Sequence, residues 1–571
     1  MTCSTPINTI FANSFRDNFD LPCITDFVSK ESLTYGDFAR RIARVHLLFG
    51  QCGIKPGDKV ALLGKNNINW VTAFIGTVTY GAVVVPILNE FNPIDAQHIV
   101  NHSDSVLLFV SESIWDHLEF DDMPQVRAVL SLDTRKALAE REGCPADKWM
   151  HTLSRRFRQE YPGGYKADNI KYPDFDDPER TVIINYTSGT TGFSKGVMLP
   201  ERSMRGNIEF GIHSKLHYKG SRALSFLPLA HAYGCAFDML VPLAVGTHIT
   251  LLGKAPTPRL LMNAMAEVKP SLIICVPLIL EKIYRKMIQP VLATRRMRWV
   301  LAIPFMDRAV FPKIRKKLID AFGGEFSQVI VGGAPLNREV EEFLHRIGFP
   351  FTVGFGMTEC GPLISYTYWK DFIVGSSGRT LKGLMEARIL SEKEGQPGEI
   401  LVKGVNVMTG YYKNPDATEA VLEESGWLHT GDMGTLGGPE GQTVFIRGRY
   451  KTMILTSTGQ NVYPEEIESK LNNMPYVAES IVVERNGKLV ALVYPDSEQT
   501  DADKVCDNDM DCIMEQTRKE LNELLAPYER ISKIELVPDE FEKTPKRSIK
   551  RYLYKKKTLD FNRVGDAPWC I

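Results

Sequence analysis

The chain has 571 residues, with 68 Lys and Arg against 69 Asp and Glu, and 44% hydrophobic residues. That balance is ordinary for a soluble globular protein and excludes any global attraction to nucleic acid or anionic lipid, so such an attraction has to be local. A single hydrophobic core stops growing at roughly 250–300 residues, so the length predicts several domains.

The N-terminus, "MTCSTPINTIFANSF", has no basic region followed by an apolar run, so no signal peptide is expected. Ten cysteines are scattered from Cys3 to Cys570 without a C-x-x-C pair. They read as reduced thiols of a cytoplasmic protein. "DKVALLG" predicts a strand and the residues from Asn66 a helix. The uncharged stretch from Trp70 to Asn89 is long enough to span a bilayer, but Gly76, Gly81 and Pro86 split it into buried helix, turn and the strand "AVVVPIL". His98 and His102 share a helix face as in a zinc site, but no third ligand is evident, so they read as ordinary surface or core histidines.

"SVLLFVS", "TVIINYT", "HITLLG", "SLIICVP" and "SQVIVGG" follow as short apolar runs between helical patterns. Runs without strict alternation suit strands covered on both faces, hence an α/β fold with mostly parallel sheets. The basic "FPKIRKKLIDAF" reads as a solvated helix face, with a peripheral membrane contact as the alternative. From about Gly398, "GEILVKG", "QTVFIRG" and "KTMILTS" predict a small antiparallel, barrel-like subdomain. Beyond it a helix "PEEIESKLNNM", strands "ESIVVERN" and "KLVALVYP", an acidic loop "DSEQTDADKVCDNDMD", a further helix and a basic stretch form a separate α+β domain.

The chemistry concentrates after "TVIINYT". Thr187, Ser188, Gly189, Thr190, Thr191 and Gly192 lead to Ser194, Lys195 and Gly196. Glycines let backbone N–H groups converge on an anion, hydroxyls add donors and Lys195 adds charge. The order is not that of a Walker A loop, which needs Gly-Lys-Ser/Thr.

This stretch resembles the signature of the adenylate-forming superfamily of acyl-CoA synthetases, luciferases and adenylation domains. "LPLAHAYG", "GGAPL", "GFGMTE", "GYYKNP", "GWLHTGD" and "GRYKTMILTSTGQNVYPEEIE" match further family motifs in order along the chain. Within the superfamily the chain looks most like bacterial long-chain fatty-acid–CoA ligases. The resemblance implies an N-terminal AMP-binding domain over 1–449, with its β-rich part at about 380–449, and a small mobile domain over 450–571. It also implies a two-step reaction: a fatty acid and ATP form an acyl-adenylate and diphosphate, then coenzyme A releases AMP.

Carried onto this sequence, Thr187 to Thr191, Gly192 and Lys195 would hold the outer phosphates. Glu359 would bind Mg²⁺, for which one carboxylate suffices. Thr358 would touch the α-phosphate. Gly333, Ala334, Pro335, Gly354, Phe355 and Gly356 would flank adenine, with Phe355 in the place of the family's tyrosine. Asp432 and Arg449 would meet the ribose, and His231 and Tyr233 the acid. Lys451 falls at the hinge position and Gly459 near the path of coenzyme A.

One position departs from the pattern. In "EKTPKRSIKRYLYKKK", Thr544 and Ile549 both align with the last family motif, and both put Ser548 where the family has a lysine. Lys546 and Lys550 lie two residues to either side and, on extended backbone, ~6.6 Å away. Either is a candidate substitute. Two other readings stay open: an acyl-AMP ligase that loads a carrier protein, and a nucleotide- or lipid-binding homologue without catalysis.

Overall fold

The computed structural model describes residues 5–187, 194–295, 297, 299, 303, 306–391, 395–455, 460–503, 505, 507–544 and 549–554. The chain separates into two compact units. One holds the residues up to Thr187, Ser194–Thr430 and Gly434–Ile446; the other holds Gly431–Met433 and the chain from Arg447 onward.

The first unit is α/β. Its largest sheet has eight strands in the order Gly410–Tyr411, Lys195–Pro200, Thr181–Thr187, Val83–Ile87, Lys59–Leu63, Ser105–Val110, Ala128–Ser131 and Ala137–Glu140. The central strands are parallel; Lys195–Pro200 and Ala137–Glu140 run antiparallel to their neighbours. All five residues of Val83–Ile87 are buried, which explains the unbroken apolar run. Two further sheets, of four and three strands, are also mostly parallel.

The Trp70–Asn89 stretch forms the helix Ile68–Tyr80 and the Val83–Ile87 strand. Gly81 joins them at φ +93°, and a Cβ there would lie 2.1 Å from the Phe175 ring. The helix buries three threonines, Thr72, Thr77 and Thr79. Each donates its hydroxyl to the carbonyl one turn back, so none of these hydroxyls is stranded. Among the described residues, no helix is long and apolar enough to cross a membrane.

Seven strands form an antiparallel sheet in the order Phe355–Gly356, Leu363–Tyr366, Arg379–Thr380, Thr443–Arg449, Leu428–Gly437, Gly398–Gly404 and Met385–Leu390. "GEILVKG" and "QTVFIRG" belong to it. "KTMILTS" does not: it contributes only Ile454–Leu455, paired with Asn461–Val462 in a separate two-stranded ribbon. Strand pattern identifies a strand without saying which sheet it joins.

The second unit has a three-stranded sheet, Val477–Arg485, Lys488–Pro495 and Ile531–Leu536. Both faces are buried. Val482, Ala491 and Val493 face one apolar cluster with the helices, while Ile481, Val483, Val490 and Leu492 face another completed by Phe541, Ile549 and Tyr554. Ile549 and Tyr554 of the C-terminal basic stretch thus pack against one face of this sheet. The acidic segment expected as a loop is largely helical, Ser497–Asp503 and Asp507–Glu523. Asp496 accepts from the Gln499 N–H at 3.2 Å as an N-cap, and acidic side chains suit a helix start.

In the first unit, Glu341 is 4% exposed and accepts a hydrogen bond from the Gly375 N–H. Burial pushes its carboxyl up to about 7. The folded chain then keeps a proton that the unfolded chain has already released. The stability this confers is present below the ordinary carboxylate value and is lost as pH rises through about 7, at about 1.4 kcal/mol per pH unit where steepest. Glu341→Gln keeps an acceptor and removes the titration. It is expected to flatten the fall in thermal midpoint across that window; parallel curves for the two proteins would remove Glu341 as the cause.

Candidate active site

The strands Thr181–Thr187 and Lys195–Pro200 pair antiparallel, with Thr187 opposite Lys195. Ser188, Gly189, Thr190, Thr191 and Gly192, between them, lie outside the described residues. Lys195 is therefore the first residue of the returning strand.

The short strand Gly410–Tyr411 pairs with that returning strand, Tyr411 opposite Val197. It brings the Tyr411 ring to 4.6 Å from the Lys195 Nζ. The Tyr411 hydroxyl donates to Glu359 Oε1 at 2.9 Å. Burial first, and then the Glu359 charge, pushes the Tyr411 phenol well above its ordinary value, so it remains a donor. Lys195, Tyr411 and Glu359 thus form one row, cation, ring and carboxylate. Tyr411 was missed in the sequence. Its motif was visible, but its role depends on strand pairing across more than two hundred residues.

Buried amides hold the surrounding backbone. Asn207 donates to the Cys360 carbonyl at 3.3 Å and accepts from the Leu363 N–H at 3.0 Å, and the Met408 N–H donates to the Glu359 carbonyl at 2.8 Å. These bonds fix the turn that carries Thr358 and Glu359. Asn185 donates to the Ala230 carbonyl at 2.9 Å, while Asn66 donates to the Leu227 carbonyl at 2.7 Å and accepts from the Leu229 N–H at 3.0 Å. That ties the segment before His231 to the central sheet. His231 is half-buried. The Tyr233 hydroxyl donates to the Ile330 carbonyl at 3.0 Å, and its ring lies against Gly332, where a Cβ would come within 3.0 Å. Tyr233 therefore braces the loop that carries Gly333, Ala334 and Pro335, all three exposed.

Gly354 follows the strand Phe351–Val353. Phe355 is buried in the core, whereas Gly356 is exposed. A Cβ on Gly356 would sit 2.4 Å from the Pro362 carbonyl oxygen, a backbone atom that cannot swing away. Only glycine fits there. After His231, the segment Cys235–Leu240 is a fully buried π-helical turn. Burial pushes the Asp238 carboxyl well above the ordinary carboxylate value, and the other five residues of the turn are apolar.

The two histidines are accounted for. His102 Nδ1 is 2.7 Å from the Tyr186 hydroxyl, and its ring lies 5.7 Å from that of His98. No group of three or more His, Cys, Asp or Glu suited to a metal occurs among the described residues. Mg²⁺ does not need one: it binds through one or two carboxylates, waters and phosphate oxygens. Glu359 fits that demand, since Tyr411 engages one carboxylate oxygen and thereby orients the other.

In the second unit, Arg449 Nε lies 3.2 Å from Asp432 Oδ1; Asp432 is buried and Arg449 exposed. Lys451 is exposed. Gly459, Lys546 and Ser548 lie outside the described residues. Lys543 and Ile549 pair as a β-bridge on either side of the last two. Lys550 Nζ is 3.5 Å from Glu542 Oε2, and the Lys550 N–H donates to the Glu542 carbonyl. Arg551 donates to both carboxylate oxygens of the buried Glu468, at 2.6 Å from Nη1 to Oε1.

A parallel central sheet, a hydroxyl- and glycine-rich segment after a buried strand, and a cation–ring–carboxylate row beside it define a nucleotide-dependent ligase architecture. Residues 11–412 match the AMP-binding enzyme family, and residues 451–560 match the AMP-binding enzyme C-terminal domain. The chain belongs to this family: it is an adenylate-forming, AMP-forming acid–thiol ligase. It is 26% identical to the long-chain-fatty-acid–CoA ligase FadD15 of Mycobacterium bovis, over 91% of this chain and 90% of that protein. It is 27% identical to a chloroplastic long-chain-fatty-acid–acyl-carrier-protein ligase of Arabidopsis thaliana, over 78% of this chain and 70% of that protein. Its fold is similar to that of the anthranilate CoA ligase AuaEII solved with anthranoyl-AMP, with a TM-score of 0.76, 18% identity and 97% of each chain covered.

Proposed function

We propose that the protein is a long-chain fatty acid–CoA ligase. The observation that carries the reading is the row formed by Lys195, Tyr411 and Glu359. The first half-reaction brings a carboxylate to a polyanion, so it needs charge neutralisation more than a base. A carboxylate oxygen bonds to the α-phosphorus as the bond to diphosphate breaks. Lys195, with Thr187 and the residues up to Gly192, takes the outer phosphates; Thr358 takes the α-phosphate. Glu359 would hold Mg²⁺, which would supply charge neutralisation at the phosphate oxygens. Gly333, Ala334, Pro335, Gly354, Phe355 and Gly356 border adenine, and Asp432, kept in place by Arg449, takes the ribose hydroxyls.

In the second half-reaction the thiol sulfur bonds to the acyl carbon and AMP leaves. The division at 449/450, with Lys451 as hinge and Gly459 beside the thiol path, serves this exchange. His231 and Tyr233 border the acid. The buried, mostly apolar segment Cys235–Leu240 and the relation to FadD15 support a hydrocarbon substrate, for which burial gains ~0.8 kcal/mol per CH₂. The protein works in the cytoplasm.

ATP-dependent thioester formation across acids from acetate to palmitate, with aryl acids included, tests this. Palmitate with coenzyme A is the expected best pair. A preference for acetate or aryl acids would refute the long-chain assignment, and a preference for a phosphopantetheinylated carrier would refute coenzyme A as the acceptor.

Of the two lysines flanking Ser548, Lys550 is already held by Glu542. That pairing favours Lys546 over Lys550 as the substitute for the missing charge. Lys546→Ala is expected to lower acid-dependent pyrophosphate exchange about tenfold to a hundredfold, as for loss of a charged hydrogen bond, and Lys550→Ala to change it little. Ser548→Lys should restore the Lys546→Ala variant. Equal exchange in Lys546→Ala and wild type would end the substitution idea.

A further inference from the structure

The row formed by Lys195, Tyr411 and Glu359 depends on a short element. The strand Gly410–Tyr411 has two residues and lies at the end of the eight-stranded sheet, with a neighbouring strand on one side only. Backbone pairing this short opens easily unless side chains reinforce it.

The two residues that follow reinforce it. The Tyr412 N–H donates to the Gly196 carbonyl at 2.7 Å. The Tyr412 hydroxyl donates to Asp104 Oδ2 at 2.7 Å, and burial, then this bond, pushes the phenol up to about 12, so it stays a donor. Lys413 Nζ donates to Asp104 Oδ1 at 2.8 Å, and Gln125 Nε2 to the same oxygen at 3.2 Å. Asp104 stands between the helix Pro93–His102 and the strand Ser105–Val110 at φ +55°, a left-handed backbone that Asp adopts more readily than most residues. Two residues earlier, the His102 ring meets the Tyr412 ring edge-on at 6.0 Å, and its Nδ1 lies 2.7 Å from the Tyr186 hydroxyl. Tyr186 is in the strand Thr181–Thr187, opposite Gly196. Through His102 and Asp104, one turn reaches the strands on both sides of the one that begins with Lys195.

We propose that Asp104 is a positioning residue of the nucleotide site: through Tyr412 and Lys413 it fixes the strand Gly410–Tyr411, and so sets the Tyr411 hydroxyl against Glu359. Tyr411 and Tyr412 are consecutive, so a displacement of one carries to the other. The inference rests on the roles given above to Tyr411 and Glu359, and not on the identity of the acid.

Two variants cut the bond from opposite ends. Asp104→Gly suits the backbone at φ +55° and removes the carboxylate, while Tyr412→Phe keeps the ring and removes the hydroxyl. In the full-length protein without ligand, amide exchange at Tyr411 and Tyr412 should accelerate about tenfold in both, the scale of one lost hydrogen bond. Calorimetric titration with ATP over a range of Mg²⁺, with no acid present, gives a readout that mere loss of stability would not move. The Mg²⁺ concentration that gives half-maximal ATP affinity should rise about threefold to tenfold in both variants and in Tyr411→Phe. Asp104→Asn, which keeps an acceptor for the hydroxyl, should stay nearer to wild type. The Tyr411→Phe/Tyr412→Phe variant should need no more Mg²⁺ than Tyr411→Phe alone, because the two act through one contact. Effects that multiply in that variant, a wild-type Mg²⁺ requirement in Asp104→Gly and Tyr412→Phe, or unchanged exchange at Tyr411 would overturn the proposal. ATP binding by the wild type that is indifferent to Mg²⁺ would instead refute the role given to Glu359, and the exchange measurement would still decide whether Asp104 holds the strand.

Discussion

Glu359→Gln is expected to slow acid-dependent pyrophosphate release about a hundred- to a thousandfold, the range for removing one preorganised electrostatic contact to a charge-developing centre. The substitution isolates charge from shape. The Tyr411 hydroxyl now donates to Glu359 Oε1 at 2.9 Å, and a glutamine carbonyl accepts the same bond. The Glu359 carbonyl also keeps its bond from the Met408 N–H, so the turn itself is undisturbed. What disappears is the negative charge that would hold a cation among the phosphates. Tyr411→Phe offers the converse, an intact carboxylate with its orientation loosened, and should cost less. Steady-state release measured over a range of Mg²⁺ separates the two: Glu359→Gln stays slow at every concentration, while Tyr411→Phe recovers as Mg²⁺ rises. A Glu359→Gln enzyme within a few-fold of wild type would remove this residue from metal binding.

Arg551→Ala is expected to cost the second unit about 3–5 kcal/mol, the usual consequence of breaking a buried pair from one side. Glu468 is 6% exposed and also accepts the Val482 N–H at 2.6 Å. Burial pushes its carboxyl up, against the opposing pull of Arg551. Without the guanidinium, a carboxylate is stranded beneath the sheet that Ile549 and Tyr554 cover. Hydrogen exchange of the strands Val477–Arg485 and Lys488–Pro495 in the full-length protein should accelerate. Arg551→Met combined with Glu468→Leu should recover much of the loss, because both charges are then gone. Unchanged exchange in Arg551→Ala would show that the pair contributes nothing to stability.

These two cases also mark what could be read from residues alone. "TVIINYT" and "AVVVPIL" were legible as strands because both faces are covered and their composition is uniformly apolar. The row at Glu359 was half legible. Lys195 and Glu359 stand in recognisable motifs, but Tyr411 joins them only through an antiparallel pairing that no periodicity encodes. The acidic segment misled because charge density suggests a solvated loop. Its last five residues open the helix expected after it, Asp507–Glu523, whose stripe Met510, Met514 and Leu521 is buried in the core of the second unit. In the basic stretch near the C-terminus, Lys546 and Lys550 read as equal candidates for the missing charge. The structure gives cations of that stretch separate partners: Lys543 pairs with Glu479 at 2.7 Å, Lys550 with Glu542, and Arg551 with Glu468. A ladder of charges in sequence says nothing of which carboxylate each will meet.

The central claim is that this chain adenylates a long-chain acid although Ser548 stands where the family has a lysine. A single-turnover experiment with α-phosphate-labelled ATP, Mg²⁺ and palmitate, first without and then with coenzyme A, tests it most directly. The account predicts a labelled palmitoyl-adenylate that accumulates on the enzyme and is converted to AMP and palmitoyl-CoA when the thiol is added. Labelled ATP that remains intact with palmitate would contradict it and leave a nucleotide-binding homologue without catalysis.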